Sequence, residues 1–155
     1  MVLHSILRQS RNSGFTIIEI IITIAILIII LSFGLFISFD FYKNYSFRSE
    51  RNIIISVLQK ARDQSLNNID QTSHGVHFEA NPNLKYTIFE GSSYDQDNQN
   101  NLVVNASYGI SITSLILPFD VIFDQLSGVS SDEIITIYDG FKSYNITVNS
   151  EGKID

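Results

Sequence analysis

The sequence predicts an α+β fold. One long N-terminal α-helix, membrane-spanning in its first half and amphipathic in its second, packs on an antiparallel β-sheet or sandwich head. Three observations carry this prediction. Apolar residues fill 15–39 with a single charge among them, neither proline nor glycine occurs between Asp40 and Asn68, and after Gly75 the apolar period changes from helical to alternating. At 155 residues the chain has room for one domain of ordinary size.

The elements follow in chain order. Residues 1–14 (MVLHSILRQSRNSG) form a short polar-ended leader whose only full charges are Arg8 and Arg11. The next stretch, FTIIEIIITIAILIIILSFGLFISF, is interrupted only by Glu19. Twenty-five helical residues reach about 37 Å, enough to cross the hydrocarbon core of a bilayer with some tilt. In 40–69 the helix continues in amphipathic form. Phe47, Ile54, Leu58 and Ala61 form an apolar stripe, and Arg48, Glu50, Arg51, Lys60, Arg62 and Asp63 are assigned to the wetted side. The whole helix is expected from about Phe15 to about Asn67, roughly 80 Å.

The head is expected over 70–155. In 75–90, Val76, Phe78 and Ala80 alternate with His77 and Glu79, Asn81-Pro82-Asn83 signals a turn, and Leu84, Tyr86 and Ile88 resume the alternation. That pattern reads as a β-hairpin. The polar stretch 91–101 (GSSYDQDNQNN) is expected as a mobile surface loop. Further strands are expected at 102–108, 110–117, 120–124, 133–138 and 142–149, with turns at Asp139-Gly140 and Glu151-Gly152.

Composition removes several function classes. Ten Lys and Arg against sixteen Asp and Glu leave a formal charge of −6, a poor basis for broad electrostatic attraction to nucleic acid. The chain has no cysteine, which rules out disulfides, thiolate metal sites and cysteine nucleophiles. No nucleophile-elbow serine, phosphate-binding glycine loop or zinc signature is present, so neither catalysis nor a cofactor is expected. His74 and His77 form H-x-x-H, but an odd separation in a strand sends them to opposite faces, and we expect both at the surface. Asp120, Asp124, Asp132 and Glu133 cluster in sequence, and calcium favours such oxygens; their spacing matches no defined calcium loop.

The informative stretch is Gly14-Phe15-Thr16-Ile17-Ile18-Glu19, where glycine, an aromatic residue and a lone carboxylate meet at the polar-to-apolar boundary. It resembles the prepilin signal of type IV pilins and type II secretion pseudopilins. That resemblance implies cleavage between Gly14 and Phe15, N-methylation of Phe15 and retention of Glu19 in the mature chain. It also implies the partners: a prepilin peptidase/N-methyltransferase, other pilin or pseudopilin subunits, an inner-membrane assembly platform and the lipid bilayer. Localisation follows, as a single-pass inner-membrane protein with its head outside the cytoplasm and later as part of a filament. An ordinary secretory signal is cut after its apolar segment, whereas here the polar leader is the dispensable part. Glycine before the cut leaves a peptidase cleft unobstructed.

A carboxylate at the edge of a membrane helix costs a few kcal/mol unless neutralised, which makes Glu19 a functional candidate. The α-amino group created at Phe15 would lie one helical turn away, within reach in the same chain. The family resemblance implies that the pair instead forms between neighbouring subunits and sets their register. Basic residues do not orient the span, since Lys43, Arg48 and Arg51 follow it. Tyr42 and Tyr45, just past the apolar run, suit either a bilayer interface or packing between helices.

Lys60-Ala61-Arg62, Phe123-Asp124-Gln125-Leu126-Ser127-Gly128 and the closing Asn149-Ser150-Glu151-Gly152-Lys153-Ile154 further resemble minor pseudopilins of the GspH/FimT type. DNA-binding members carry arginines near the closing glycine, whereas Glu151, Lys153 and Asp155 stand here, so DNA is not an expected partner. A head that binds DNA, a surface or a secreted substrate is the alternative function. A plain signal anchor without an assembly role is the third.

Overall fold

The computed structural model describes residues 14–107, 109–113 and 116–155, with the side chains of 36–40 left aside. The expected leader, with Arg8 and Arg11, therefore lies outside the described residues except for Gly14. So do Tyr108, Ser114 and Leu115 of two expected strands. Helix α1 runs Ile17–Leu66, and two compact units divide between Tyr42 and Lys43.

In the first unit the stretch Ile17–Leu35 is apolar and wholly unburied. Nineteen residues at 1.5 Å each span about 28 Å, close to the thickness of a hydrocarbon core. Its hydroxyls offer lipid no orphan donor. Thr23 Oγ1 donates to the carbonyls of Glu19 and Ile20 at 3.0 and 2.9 Å, and Ser32 Oγ donates to Ile28 O at 2.8 Å.

The second unit is the head. Strands β1 (His74–Ala80), β2 (Leu84–Glu90), β3 (Leu102–Asn105) and β5 (Phe119–Phe123) form an antiparallel sheet in the order β3-β2-β1-β5. A second antiparallel sheet, in the order β4-β6-β7, contains β4 (Ser111–Ile112), β6 (Glu133–Tyr138) and β7 (Ser143–Val148). Phe47, Ile54, Leu58 and Ala61 of α1 bury against Val76, Phe78, Tyr86, Val121 and Phe123 of the first sheet and Ile135, Ile137, Ile146 and Val148 of the second. Each fully buried Ile, Leu or Phe among them contributes about 1.5–3 kcal/mol. The C-terminus closes the second sheet, with Thr147 and Asp155 exchanging backbone hydrogen bonds at 3.0 Å.

Five expectations are corrected. Glu50, assigned to the wetted side for its charge, is fully buried. Three residues after Phe47 and four before Ile54, it occupies the apolar stripe itself. Its Oε2 accepts the Ser107 N–H at 2.8 Å, and its carboxylate faces the buried Tyr86 phenol. Burial first, then the Glu50 charge, pushes that phenol's pKa far up, so it remains neutral.

The same bond shortens β3, expected over 102–108. Ala106 N–H still reaches Leu84 O, but Ser107 N–H turns inward to Glu50 and the ladder ends. Among the described residues, the strand expected at 110–117 comprises Ser111–Ile112, with Thr113 N–H adding one more bond to Thr136 O.

The loop 91–101, expected to be mobile, folds back onto the sheet. The Tyr94 ring stacks on His77 at 3.8 Å and meets Phe89 edge-on at 5.7 Å. Asn98 and Asn100 donate to Glu90 Oε1 at 2.9 and 3.0 Å. This cover explains why nearly all of β1 is buried on both faces, and why His74 and His77 are buried rather than superficial. Gly75 is required at its position: a Cβ there would lie 2.6 Å from Phe89 Cζ and 2.9 Å from Val121 O.

Candidate functional site

The candidate site begins where the helix begins. Gly14 is exposed, with nothing within 4 Å of where a Cβ would stand, and Phe15 is 80% exposed. Thr16 and Glu19 bind reciprocally across the first turn. Thr16 Oγ1 accepts the Glu19 N–H, and Glu19 Oε2 accepts the Thr16 N–H, both at 3.4 Å. This is a capping box in which two of the helix's four orphan N–H groups find side-chain acceptors. Both bonds are longer than the usual 2.9–3.0 Å, so Glu19 is held loosely. Its negative charge also lies at the positive end of the helix dipole, which favours it there. Sequence reasoning left Thr16 out; the signal was the T-x-x-E spacing immediately before an apolar run.

The GspH/FimT-like motifs, scattered in sequence, converge at the far end of α1. Ser65 Oγ donates to Phe123 O and accepts the His74 N–H, each at 2.8 Å, while Leu126 N–H donates to Ser65 O at 2.9 Å. Gly128, at φ +61°, packs on Leu66, and Gly152, at φ +73°, packs on Gly128. A Cβ on Gly152 would fall 1.8 Å from Gly128 O, a contact only glycine permits. Arg62 lies against this junction, its Nη2 3.5 Å from Glu151 O.

The other candidates do not assemble into a reaction centre. His77 Nδ1–H donates to Asp120 Oδ1 at 2.5 Å, Glu79 Oε2 lies 3.9 Å from His77 Nε2, and Lys85 pairs with Glu79. This network fixes the sheet beneath Tyr94. His74 lies on the opposite face, its Nε2 4.0 Å from Asp70. Asp120 is thus engaged by histidine, whereas Asp124 and Asp132 are exposed and Glu133 accepts from Ser131 Oγ at 3.3 Å. Among the described residues, no group of three or more His, Asp or Glu could hold a metal ion. Tyr42 and Tyr45 are exposed, at 70% and 67%.

Residues 9–35 match the family model described as the prokaryotic N-terminal methylation motif. No curated protein and no solved structure matches the chain. The motif supports a pilin- or pseudopilin-type subunit processed by prepilin peptidase, and the apolar helix is consistent with membrane anchoring. Residues 9–35 carry a type IV pilin-like prepilin signal, followed by an α+β, pilin-like architecture.

Proposed function

We propose that this chain is a structural, non-catalytic subunit of a type IV pilus-like or type II secretion pseudopilus filament, in a minor role of the GspH/FimT type. The observation that supports this best is a prepilin signal opening a helix whose apolar residues are exposed on every side. Such a surface is stable only in lipid or against other apolar helices. In this reading prepilin peptidase cuts between Gly14 and Phe15, and Phe15 is N-methylated. Residues 15–39 anchor the subunit in the inner membrane and later enter the filament core, 40–69 carry the head, and 70–155 form it. The leader stays in the cytoplasm and the head lies outside. The Glu19 carboxylate meets the Phe15 amino group of a neighbouring subunit, removing two charges from an apolar environment at once.

Mass spectrometry of the protein from native membranes tests the processing step, with N-methyl-Phe15 as the expected terminus. Glu19→Ala is expected to stay in the membrane fraction and disappear from sheared filaments. An intact Met1 in filament-borne subunits, or normal incorporation of Glu19→Ala, defeats the proposal.

A further inference from the structure

The end of the head that begins at Lys43 carries a concentration of positive charge for an acidic protein. Outside the first fourteen residues there are eight Lys and Arg, and four of them, Lys43, Arg48, Arg51 and Lys142, belong to this end. Lys43 Nζ sits 4.6 Å from the Phe141 ring centroid, Lys142 Nζ binds Asn44 Oδ1, and the Arg51 guanidinium lies 4.1 Å from the Tyr144 ring centroid. The β6–β7 turn is therefore fastened beside the start of the head's helical segment. Glu50 is buried, and Asp139 accepts the Phe141 and Lys142 N–H groups at 2.9 and 2.7 Å while its charge acts on Lys142. Asp40 is the other acid nearby in sequence, so four cations stand against two exposed or neighbouring acids.

That turn is rigid and aimed outward. Besides the two bonds to Asp139, Tyr138 OH donates to Gly140 O at 2.6 Å. At its tip Phe141 is 78% exposed, an apolar ring with the Lys43 ammonium over it and Lys142 next in the chain. Tyr45, on the same helical segment, is 67% exposed. Lys43 is four residues past Phe39, where the apolar run ends. Four residues of chain, even fully extended, reach at most about 14 Å, which keeps Lys43 close to the headgroups when the run occupies the hydrocarbon core.

We propose that this face, built from Lys43, Phe141 and Lys142, docks on the bilayer surface. Phe141 enters the interface while the two lysines engage lipid phosphates. An aromatic ring flanked by snorkelling cations is the chemistry that headgroup regions accept. Docking also gives a role to the basic residues beyond the span, which otherwise only blur its orientation. The inference rests on the reading of 15–39 as a bilayer span, and the occupant is the membrane holding that span.

The chain contains no tryptophan, so one introduced indole reports alone. Full-length Phe141→Trp, reconstituted in phosphatidylethanolamine–phosphatidylglycerol vesicles, is expected to emit blue-shifted light. It should lose most of its emission to lipid brominated near the headgroups and resist aqueous iodide. Leu126→Trp, near Ser65 at the other end of the head's helical segment, should do the reverse. Removing Lys43 and Lys142 as Gln variants should lower the docked-to-undocked ratio about fivefold per lysine on these vesicles.

Leu31→Trp separates the two ideas. If it escapes quenching by deeply brominated lipid, the span reading fails and docking falls with it. If Leu31→Trp is quenched while Phe141→Trp is open to iodide, docking alone is overturned. Blue-shifted Phe141→Trp emission that ignores brominated lipid and fades on dilution into excess lipid would mean contact with a second copy, which also overturns it.

Discussion

Ser65→Ala tests the joint that ties α1 to the first sheet. The hydroxyl is buried and bridges two backbone groups, donating to Phe123 O and accepting from His74 N–H at 2.8 Å each. Alanine fits the space but leaves one acceptor and one donor buried without this partner. Orphaning a buried group costs about 1–3 kcal/mol, so the pair should cost about 2–4 kcal/mol after partial relaxation. Natural domains are stable by roughly 5–15 kcal/mol, which makes this a large fraction. For a unit the size of Lys43–Asp155, each kcal/mol moves the midpoint by about 3–5 °C, giving an expected fall of about 6–20 °C. The assay is thermal unfolding of the full chain in detergent, followed by near-ultraviolet circular dichroism of its tyrosines. Ser56→Ala is the control, because Ser56 is exposed and its hydroxyl donates to Asn52 O in its own helix. A midpoint for Ser65→Ala within the error of Ser56→Ala would refute the idea that this hydroxyl joins helix to sheet.

Two further outcomes are expected. Gly152→Ala should disrupt the C-terminal junction, since its Cβ would collide with Gly128 O at 1.8 Å in a left-handed backbone. Gly109→Ala, with φ +84° and open space, should lose only about 1–2 kcal/mol; equal midpoints for the two variants would remove the close approach as the reason for glycine. The loop 91–101 should loosen in acid. Hydrogen bonds from Asn98 and then Asn100 hold the Glu90 pKa below its ordinary 4.5. A depressed carboxylate contributes stability fully above 4.5 and loses it as pH falls through the lower folded-state value. Amide exchange across 91–101 should quicken in that window in the native chain and lose this pH dependence in Glu90→Gln; an identical acid response in both would exclude Glu90 as the cause.

What was legible in the sequence was what local period and turn chemistry dictate. The unbroken stretch after Asp40 gave the helix, Asn81-Pro82-Asn83 gave the β1–β2 hairpin, and Asp139-Gly140 gave the β6–β7 turn. The processing signal was also legible, because its residues are contiguous. The hidden features depend on contacts distant in sequence. Glu50 reads as a solvated charge until Ser107 supplies an N–H across 57 positions. GSSYDQDNQNN reads as a loose loop because nothing local reveals that Tyr94 has His77 and Phe89 to stack on. His77 reads as superficial for the same reason. Thr16 was different: its capping box is local, and the larger signal around it obscured it.

The two glutamates of α1, Glu19 and Glu50, make the strongest physical case for what the N-terminus is for. Glu50 is enclosed by its own head, where Oε2 accepts a backbone N–H at 2.8 Å and a neutral phenol faces the carboxylate, although Oε1 has no hydrogen-bond partner among the described residues. Glu19 has no comparable enclosure. It is exposed on an apolar helix, and its described side-chain contact is a 3.4 Å capping bond from Thr16. A dipole and one long hydrogen bond suffice at a membrane edge, where water and headgroups remain within reach. They do not suffice once the helix is surrounded by other apolar helices, because an ionised carboxylate there needs a cation or a proton. The proposed cleavage supplies a cation at Phe15 of every subunit. A helix that encloses one glutamate within its own head and leaves the other exposed on an apolar surface is therefore suited to assembly after processing, and less suited to it before.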